Sequence, residues 1–289
     1  MMKAGIGYGN HSDAYALGRQ VAERAIAQGD ITRPDLVLAF CSGQLDPAAF
    51  YGGLRAVLGE RAPIIGGSAI GIITNADLSY EGSPAGAAVL QMDDVDVRVA
   101  AASAIDRDEL RAGGALGAQL GDDPAGRLLL MFYDSVKGPP APTSPRIMHA
   151  SPPLIAGIES ALARGIPIVG GGTLGDHAFS PTHQFCGSFV GQQSAVGALF
   201  RGKVAPYVQV MHGCTLKDGV YHTITRIDGP VIHEIDGRPA AGMIDAIYGD
   251  QGWRDQLPVR RLTLGVNHGD KFGDFQEDPQ VQAAVRAVL

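Results

Sequence analysis

Polar side chains stand directly after two short apolar runs of the chain, where they could contact a small molecule. Ser42 follows the run 36–40, and Tyr133 and Asp134 follow the run 128–132. A short continuous apolar run is typical of a buried strand. In α/β sheets, ligands gather outside the carboxyl ends of parallel strands. We therefore expect Ser42, Tyr133 and Asp134 to contact a ligand.

A glycine-rich phrase occurs twice, once in each half of the chain. Residues 62–71 read APIIGGSAIG and residues 166–175 read IPIVGGGTLG, with five of ten positions identical. Glycine turns let a ligand approach closely and offer backbone N–H groups to an anion or carboxylate. An equally good interpretation is that these glycines have no ligand and simply allow a strand to cross close to another element. The duplication favours a shared pocket, lined by Gly66, Gly67, Ser68, Gly171, Gly172 and Thr173.

The same stretches contain side chains that could act as nucleophiles. Ser68 resembles the serine of a nucleophile elbow, but that motif needs a glycine two residues on, and position 70 is Ile. Cys41 would need a nearby base, and no local His provides one. A hydroxyl that binds a ligand or caps a turn is the better interpretation of Ser68, and a small buried apolar residue is the better one of Cys41. No catalytic residue is predicted.

Histidine, aspartate and cysteine are densest after the second glycine phrase. Asp176 and His177 precede His183 and Cys186, but this spacing matches no standard zinc motif. We expect Asp176 and His177 to contact the ligand and predict no metal site. The loop 176–183 is longer than its counterpart in the first half, and inserted loops often carry binding function.

Composition excludes several classes of function. The 289 residues are 45% hydrophobic and 18% charged, as in ordinary globular proteins, and carry a formal net charge of −7. That charge argues against a nucleic-acid partner. Three cysteines without a CxxC pair favour a reducing compartment. No secretory signal is recognisable, and no window reaches the ~20 apolar residues of a membrane span. We expect a cytoplasmic protein that does not enter the membrane.

The hydrophobic pattern predicts the elements that position these residues. Helices are expected over 13–29, 47–58, 152–163 and from Pro239 to about Tyr248. Strands are expected over 35–40, 63–66, 71–74, 85–92 and 95–102, then over 128–133, 166–169, 184–190, 195–200, 206–211 and 258–266, with a hairpin formed by 223–227 and 230–235. The turn 267–271 and an apolar segment, 281–289, follow.

The fold class predicted is α/β with two pseudo-repeats, over about residues 30–104 and 124–212. Each repeat is a β-α-β unit followed by an antiparallel meander, so that mixed sheets are flanked by helices. A region of 1–205 would contain both repeats. A β-rich segment, 206–289, would follow and is expected to end inside a domain.

Several segments of the sequence resemble the FIST family of intracellular sensory domains, and the resemblance covers nearly the whole chain. The first portion of the resemblance rests on residues 34–40 and 63–71. The second portion rests on residues 167–172, on 223–226, which includes Arg226, and above all on 232–240, which reads IHEIDGRPA. The resemblance implies a cytoplasmic small-ligand sensor in signal transduction, with amino acids or related carboxylates as ligands, and adds Arg226 to the expected contacts.

Two further expectations come from the resemblance alone. Some relatives bind haem and report nitric oxide to histidine kinases, so an alternative is a haem sensor with His177, His183, His212 or His222 as axial ligand. No output module is recognisable, so either signalling would pass through a separate partner, such as a histidine kinase or another output protein, or the chain is only the sensor. A hydrolase or transferase is the less favoured third class.

Overall fold

The computed structural model describes residues 2–137, 148–163, 165–177, 179–208, 220–228 and 231–255. The chain divides into two compact units, Met1–Pro206 and Tyr207–Leu289. The first unit contains the residues expected to bind a ligand, except Arg226, His212 and His222.

The described part of the first unit has twelve strands and four helices. The strands are β1 (Met2–Asn10), β2 (Leu36–Ser42), β3 (Ile64–Ala69), β4 (Ile72–Ile73), β5 (Leu78–Ser79), β6 (Pro84–Met92), β7 (Val95–Ser103), β8 (Gly126–Asp134), β9 (Ile168–Thr173), β10 (Gln184–Cys186), β11 (Phe189–Gly191) and β12 (Ser194–Gly202). The helices are α1 (Ala14–Gly29), α2 (Pro47–Leu58), α3 (Glu109–Leu120) and α4 (Ser151–Ala161).

Two mixed sheets have the same internal arrangement. The six-stranded sheet has the order β1-β6-β2-β3-β10-β11, and the four-stranded sheet has the order β7-β12-β8-β9. Only β2–β3 and β8–β9 are parallel, and all other pairs in these sheets are antiparallel. The order β1-β6-β2-β3 therefore corresponds to β7-β12-β8-β9. The hairpin β10–β11 extends the first sheet, although it comes from the second half of the chain.

Aspartate side chains start three of the four helices. Asp13 accepts a hydrogen bond from Ala16 N, Asp46 from Ala48 N and Ala49 N, and Asp108 from Arg111 N. These carboxylates satisfy N–H groups that have no partner within the helix. The helices predicted over 13–29 and 47–58 are confirmed, and the one predicted over 152–163 is confirmed with a shift of one to two residues.

Glycines bring the helices of each half into backbone contact. A Cβ on Gly18 would lie 2.1 Å from Phe50 O of α2, and a Cβ on Gly53 would lie 2.1 Å from Tyr15 O of α1. Gly113 and Gly157 make the same contacts between α3 and α4, also at 2.1 Å. Only glycine permits so close an approach, so the two helix pairs cross in the same way.

The core lies in three layers of apolar side chains. One layer joins α1 and α2 to the first sheet, and another joins α3 and α4 to the second sheet. A third layer joins the two sheets to each other, and in it the rings of Phe40 and Phe132 pack edge to face at 5.0 Å. The predicted fold class, mixed α/β sheets flanked by helices, is confirmed.

The pairing of β6 and β7 differs from the sequence-based expectation. β6 and β7 were expected to be neighbours in one meander, but β6 lies between β1 and β2, and β7 pairs with β12. Asp94, with a φ of 60°, lies in the short link that carries the chain from one sheet to the other. β7 therefore takes in the second sheet the place that β1 takes in the first.

Further differences concern strand bounds and pairing. The single strand expected over 184–190 is wrong, because this segment is the hairpin β10–β11, which belongs to the first sheet. β4 and β5 form a separate two-stranded ribbon, although 71–74 was expected to belong to the main sheet. Residues 206–208 are not in a strand, and 209–211 lie outside the described residues. The predictions over 258–266, 267–271 and 281–289 also lie outside the described residues.

The second unit contains a small β-structure and one helix in its described part. β13 (Ile224–Asp228) pairs with β14 (Val231–Ile235), β15 (Arg238–Pro239) extends that sheet, and α5 (Ala240–Tyr248) precedes a 3-10 helix, Gly252–Asp255. The predicted hairpin and helix are confirmed. Among the described residues of this unit, Ile235, Ala240 and Met243 form a buried apolar cluster.

Candidate functional site

Most buried polar side chains of the described residues gather at one end of the two sheets. Nine of the ten lie where β2, β3, β8 and β9 end, where β10 and β12 begin, or just before α4. We call these nine the polar layer: Ser42, Ser68, Asp134, Ser135, His149, Thr173, Thr182, Gln184 and Ser194. Burying polar groups costs free energy unless they are hydrogen-bonded, so such a concentration marks a candidate site.

Backbone hydrogen bonds join the two halves of the chain beside the polar layer. Gly43 N donates to Gly175 O at 3.0 Å, and Ser68 N donates to His183 O at 2.8 Å. The Ser68 hydroxyl accepts a hydrogen bond from His183 N at 3.0 Å. The segment after β9 thus crosses the ends of β2 and β3 and is held there from both directions.

A buried amide lies at the centre of this crossing. Gln184 is fully buried, and its Nε2 donates to Thr173 Oγ1 at 3.0 Å and to Thr182 Oγ1 at 2.9 Å. Thr173 Oγ1 donates in turn to Tyr133 O at 3.0 Å. Within the described part of the chain, the amide oxygen of Gln184 has no hydrogen-bond partner. A buried acceptor without a hydrogen bond costs free energy, so a donor placed next to this oxygen would stabilise the protein.

Asp134 holds the neighbouring loops in place. Its carboxylate is fully buried and accepts hydrogen bonds from Val136 N at 3.0 Å, Gln193 N at 3.1 Å and Gln193 Nε2 at 3.3 Å. Three donors compensate the buried charge. Asp134 therefore positions the start of β12 against the end of β8.

A charged cluster continues the network toward α3. Glu109 Oε1 accepts from Lys137 Nζ at 2.8 Å and lies 3.1 Å from His149 Nδ1, and His149 Nε2 lies 2.9 Å from Gln193 Oε1. Burial raises the pKa of the Glu109 carboxyl, but the hydrogen bonds from Lys137 and His149 outweigh it and bring that pKa to about 2. Glu109 is therefore ionised at neutral pH.

The predicted glycine turns are wrong, because both glycine pairs lie inside strands. Gly66 and Gly67 belong to β3, and Gly171 and Gly172 belong to β9. Gly66 has a φ of 145°, and a Cβ there would lie 1.9 Å from Ala39 O of the paired strand. Gly170 repeats this with a φ of 143° and 1.7 Å to Met131 O. Gly66 and Gly170, which occupy corresponding positions of β3 and β9, are thus required by strand geometry.

The other predicted contacts lie at different distances from the polar layer. Ser42 belongs to it, and Tyr133 touches it through the carbonyl that Thr173 contacts. Asp176 Oδ1 accepts from Ser180 N at 3.0 Å, and His177 is exposed. Arg226 belongs to the second unit, where its Nε donates to Glu234 Oε1 at 2.9 Å.

The histidines and cysteines of interest also differ in their surroundings. His183 is half-buried, and burial lowers the pKa of its imidazole, while Asp134 and Asp46 oppose that effect. His222 of the second unit lies 2.7 Å from Asp236 Oδ2, and His212 lies outside the described residues. Burial, aided by Asp46, raises the pKa of the Cys41 thiol to about 12, so it stays protonated. Within the described residues, no three His, Cys, Asp or Glu side chains form a metal-holding group.

Sequence reasoning missed five of the nine residues of the polar layer and the charged groups next to them. It overlooked Ser135, Thr182, Gln184, Ser194 and His149, with Glu109, Lys137 and Gln193 behind them. Glu109 and His149 are 40 residues apart, and no spacing motif links them. Ser135 directly follows the predicted Asp134 and could have been found from that position.

Two surface grooves lie away from the polar layer. One, of about 520 Å³, includes Arg33 and Arg201 among its lining residues. Their guanidinium groups form ion pairs with Asp35 at 2.8 Å and with Asp96 at 2.7 Å. The other groove, of about 560 Å³, lies along β1 and α1. Because its arginines are already paired with carboxylates, the first groove is less suited to an anion.

Comparison with known proteins assigns the chain to a family. The family model described as the FIST N domain matches residues 35–238. The chain therefore belongs to the FIST family, whose domains are signal-transduction sensors that bind small ligands. No curated protein matches the chain.

Among solved structures, one similar chain is a cyanuric acid hydrolase from A. caulinodans. It is 13% identical, the match covers 71% of this chain and 72% of that one, and the TM-score is 0.33. A similarity of that size carries no argument about function. Separately, none of the described helices is long and apolar enough to span a membrane.

Proposed function

We propose that the polar layer of the first unit binds a small molecule carrying both an amine and a carboxylate, such as an amino acid, and that this binding is the sensory event. The observation that carries the proposal is the Gln184 amide oxygen, which is buried and has no hydrogen-bond partner among the described residues. A ligand ammonium group would supply the missing donor.

Two hydroxyl groups at the same end of the sheets suit the other end of such a ligand. The Ser42 and Ser68 hydroxyl oxygens accept hydrogen bonds from Gln44 N and His183 N. Among the described residues, neither hydroxyl donates a hydrogen bond. Their protons are therefore available to a carboxylate, and the end of β3 lies next to the start of β10 that holds Gln184.

The described geometry favours a sensor over an enzyme. The Ser68 hydroxyl is bonded to the backbone of His183 rather than to its imidazole, and the Cys41 thiol is protonated. Within the part of the chain that the structure describes, neither side chain is paired with a base that could activate it. Signalling would then pass to a separate partner such as a histidine kinase, and the cytoplasm is the proposed location.

Haem fits the described residues less well than a small polar ligand. Haem needs an axial ligand inside a largely apolar pocket. His183 lies beside Ser68, Thr182 and Gln184, and its Nε2 lies 3.2 Å from Gln192 Nε2. His177 is exposed. The haem alternative stays a prediction, and a Soret band after loading with haemin would revive it.

A thermal-shift screen tests the proposal. The common amino acids are compared with matched carboxylic acids that lack the amine and with amines that lack the carboxylate. We expect at least one amino acid to raise the melting temperature, and neither truncated form to do so. Gln184→Met should abolish the shift, whereas the exposed Gln251→Met should retain it. If no compound of any class moves the wild type, the proposal is overturned.

A further inference from the structure

The outer strands of the two sheets differ in how their edges are protected. On β1, Gln28 Oε1 accepts a hydrogen bond from Ile6 N at 2.9 Å, and Arg24 donates to Tyr8 O at 2.6 Å. On β7, Gln119 Nε2 donates to Ala101 O at 2.9 Å. Native proteins cover strand edges in this way because an open edge pairs with other chains.

The edge of β9 has no such cover within the described residues. No described strand pairs with that side of β9, and no described side chain bonds to it. Gly170 and Gly172 are exposed, and a Cβ on Gly171 would meet nothing within 4 Å. The unpaired backbone groups of β9 are therefore accessible.

The first sheet shows what such an edge can hold. β3 corresponds to β9, because Ala39 pairs with Gly66 as Met131 pairs with Gly170. The outer side of β3 is covered by β10, with Phe185 opposite Gly66 and Gln184 opposite Gly67. By the same register, Gly170 and the N–H of Gly172 face the open side of β9.

We propose that the edge of β9 is a docking site for an extended segment of a partner protein, which adds antiparallel to it as β10 adds to β3. Main-chain hydrogen bonds would supply affinity in this mode of binding, and side-chain pockets would supply specificity. The proposal goes beyond the ligand site and does not depend on it.

The flanking helix indicates the chemistry of that segment. Beside β10, Arg55 of α2 donates to Gly187 O, and Phe185 packs on the Tyr51 ring at 5.5 Å. The corresponding positions of α4, two residues before and after its crossing glycine, hold Ile155 and Glu159, and Glu159 is exposed. The incoming segment therefore carries an apolar residue facing α4 and a basic residue facing Glu159.

A second copy of this chain is a less suitable occupant. The hairpin of the first half that corresponds to β10–β11 is the β4–β5 ribbon. It carries Asp77 and is followed by Glu81. These charges have the same sign as Glu159, and like charges at close range oppose association.

The test uses a fluorescent peptide of residues 182–191 with Cys186→Ser and Ser188→Lys, titrated with the full chain and followed by fluorescence anisotropy. We expect saturable binding. A matched peptide N-methylated at Phe185 loses a donor to β9 and should bind about tenfold more weakly. Glu159→Lys should weaken binding of the lysine peptide and not of the unsubstituted Ser188 form.

Gly171→Val provides the matched protein variant. Its side chain has room in the free chain, but a Cβ at the corresponding Gly67 would lie 2.3 Å from His183 O of the paired segment. The variant should keep its melting temperature and lose peptide binding, and Gly114→Ala should keep both. Equal binding of the N-methylated peptide, or a dimer that excludes the peptide, would overturn the proposal.

Discussion

Gly43 and Gly175 touch backbone to backbone where the two halves of the first unit cross. The N–H of Gly43 donates to Gly175 O at 3.0 Å, and a Cβ on Gly43 would lie 2.6 Å from Gly175 Cα. The end of β2 is thereby fixed to the loop after β9. This contact places the ends of both β-α-β units around one polar layer.

Ser68→Ala should destabilise the first unit. The substitution removes the acceptor of His183 N–H at a buried position, which costs about 1–3 kcal/mol. Urea denaturation followed by circular dichroism measures the loss. Ser188→Ala, at an exposed position, is the control and should change little. An unchanged midpoint for Ser68→Ala would contradict the described hydrogen bond.

Glu109→Gln should remove an acid-sensitive part of the stability. Because the folded pKa of Glu109 is about 2, below its ordinary 4.5, its contribution is present above pH 4.5 and is lost as the pH falls toward 2. The contribution is at most about 3 kcal/mol. The variant should be less stable at pH 7 and show a flatter decline between pH 4.5 and 2. Glu60→Gln, at an exposed position, should follow the wild type.

Gly170→Ala and Gly171→Ala form a matched pair of neighbouring substitutions. A Cβ on Gly170 would lie 1.7 Å from Met131 O, whereas one on Gly171 would meet nothing within 4 Å. We expect Gly170→Ala to cost about 3 kcal/mol or more and Gly171→Ala to be nearly neutral. Calorimetric melting of both variants checks this, and equal melting temperatures would refute the strand geometry.

Arg55→Lys should loosen the hairpin β10–β11. The buried Arg55 guanidinium donates to Ala62 O at 2.6 Å and to the Tyr51 hydroxyl, and it also contacts Gly187 O. A lysine ammonium group cannot reproduce the planar set of donors of the guanidinium, so we expect the free energy of unfolding to fall by about 1–3 kcal/mol. Hydrogen exchange of the hairpin amides should rise in this variant. The exposed Arg61→Lys should leave exchange unchanged.

The parts of the fold that were not predicted from the sequence are rich in glycine. β1 carries Gly5, Gly7 and Gly9 in alternation, and a Cβ on Gly5 would lie 1.9 Å from Ala25 O of α1. Apolar periodicity cannot reveal a strand whose inner face is glycine. α3 has Gly113, Gly114 and Gly117, which lowers its apparent helix propensity. β2 and β8 were placed correctly because each contains a continuous run of apolar residues, which the hydrophobic pattern reveals.

The candidate site was less accessible to sequence reasoning than the fold. Ser42, Ser68, Asp134 and Thr173 could be named because they follow strands that apolar runs reveal. Gln184 begins a strand instead, and it enters the site only because β10 crosses to the first sheet. A cross-half pairing of that kind leaves no local pattern in the chain.

That crossing also governs the order in which the molecule can be completed during synthesis. Chains emerge from the ribosome N-terminal end first, and domains generally fold as units. β3 ends at Ala69, but β10, which covers it, begins at Gln184. In the nascent chain, the edge of β3 therefore has no strand paired with it until more than a hundred further residues have been synthesised. The two halves of the first unit then complete their folding together rather than one after the other.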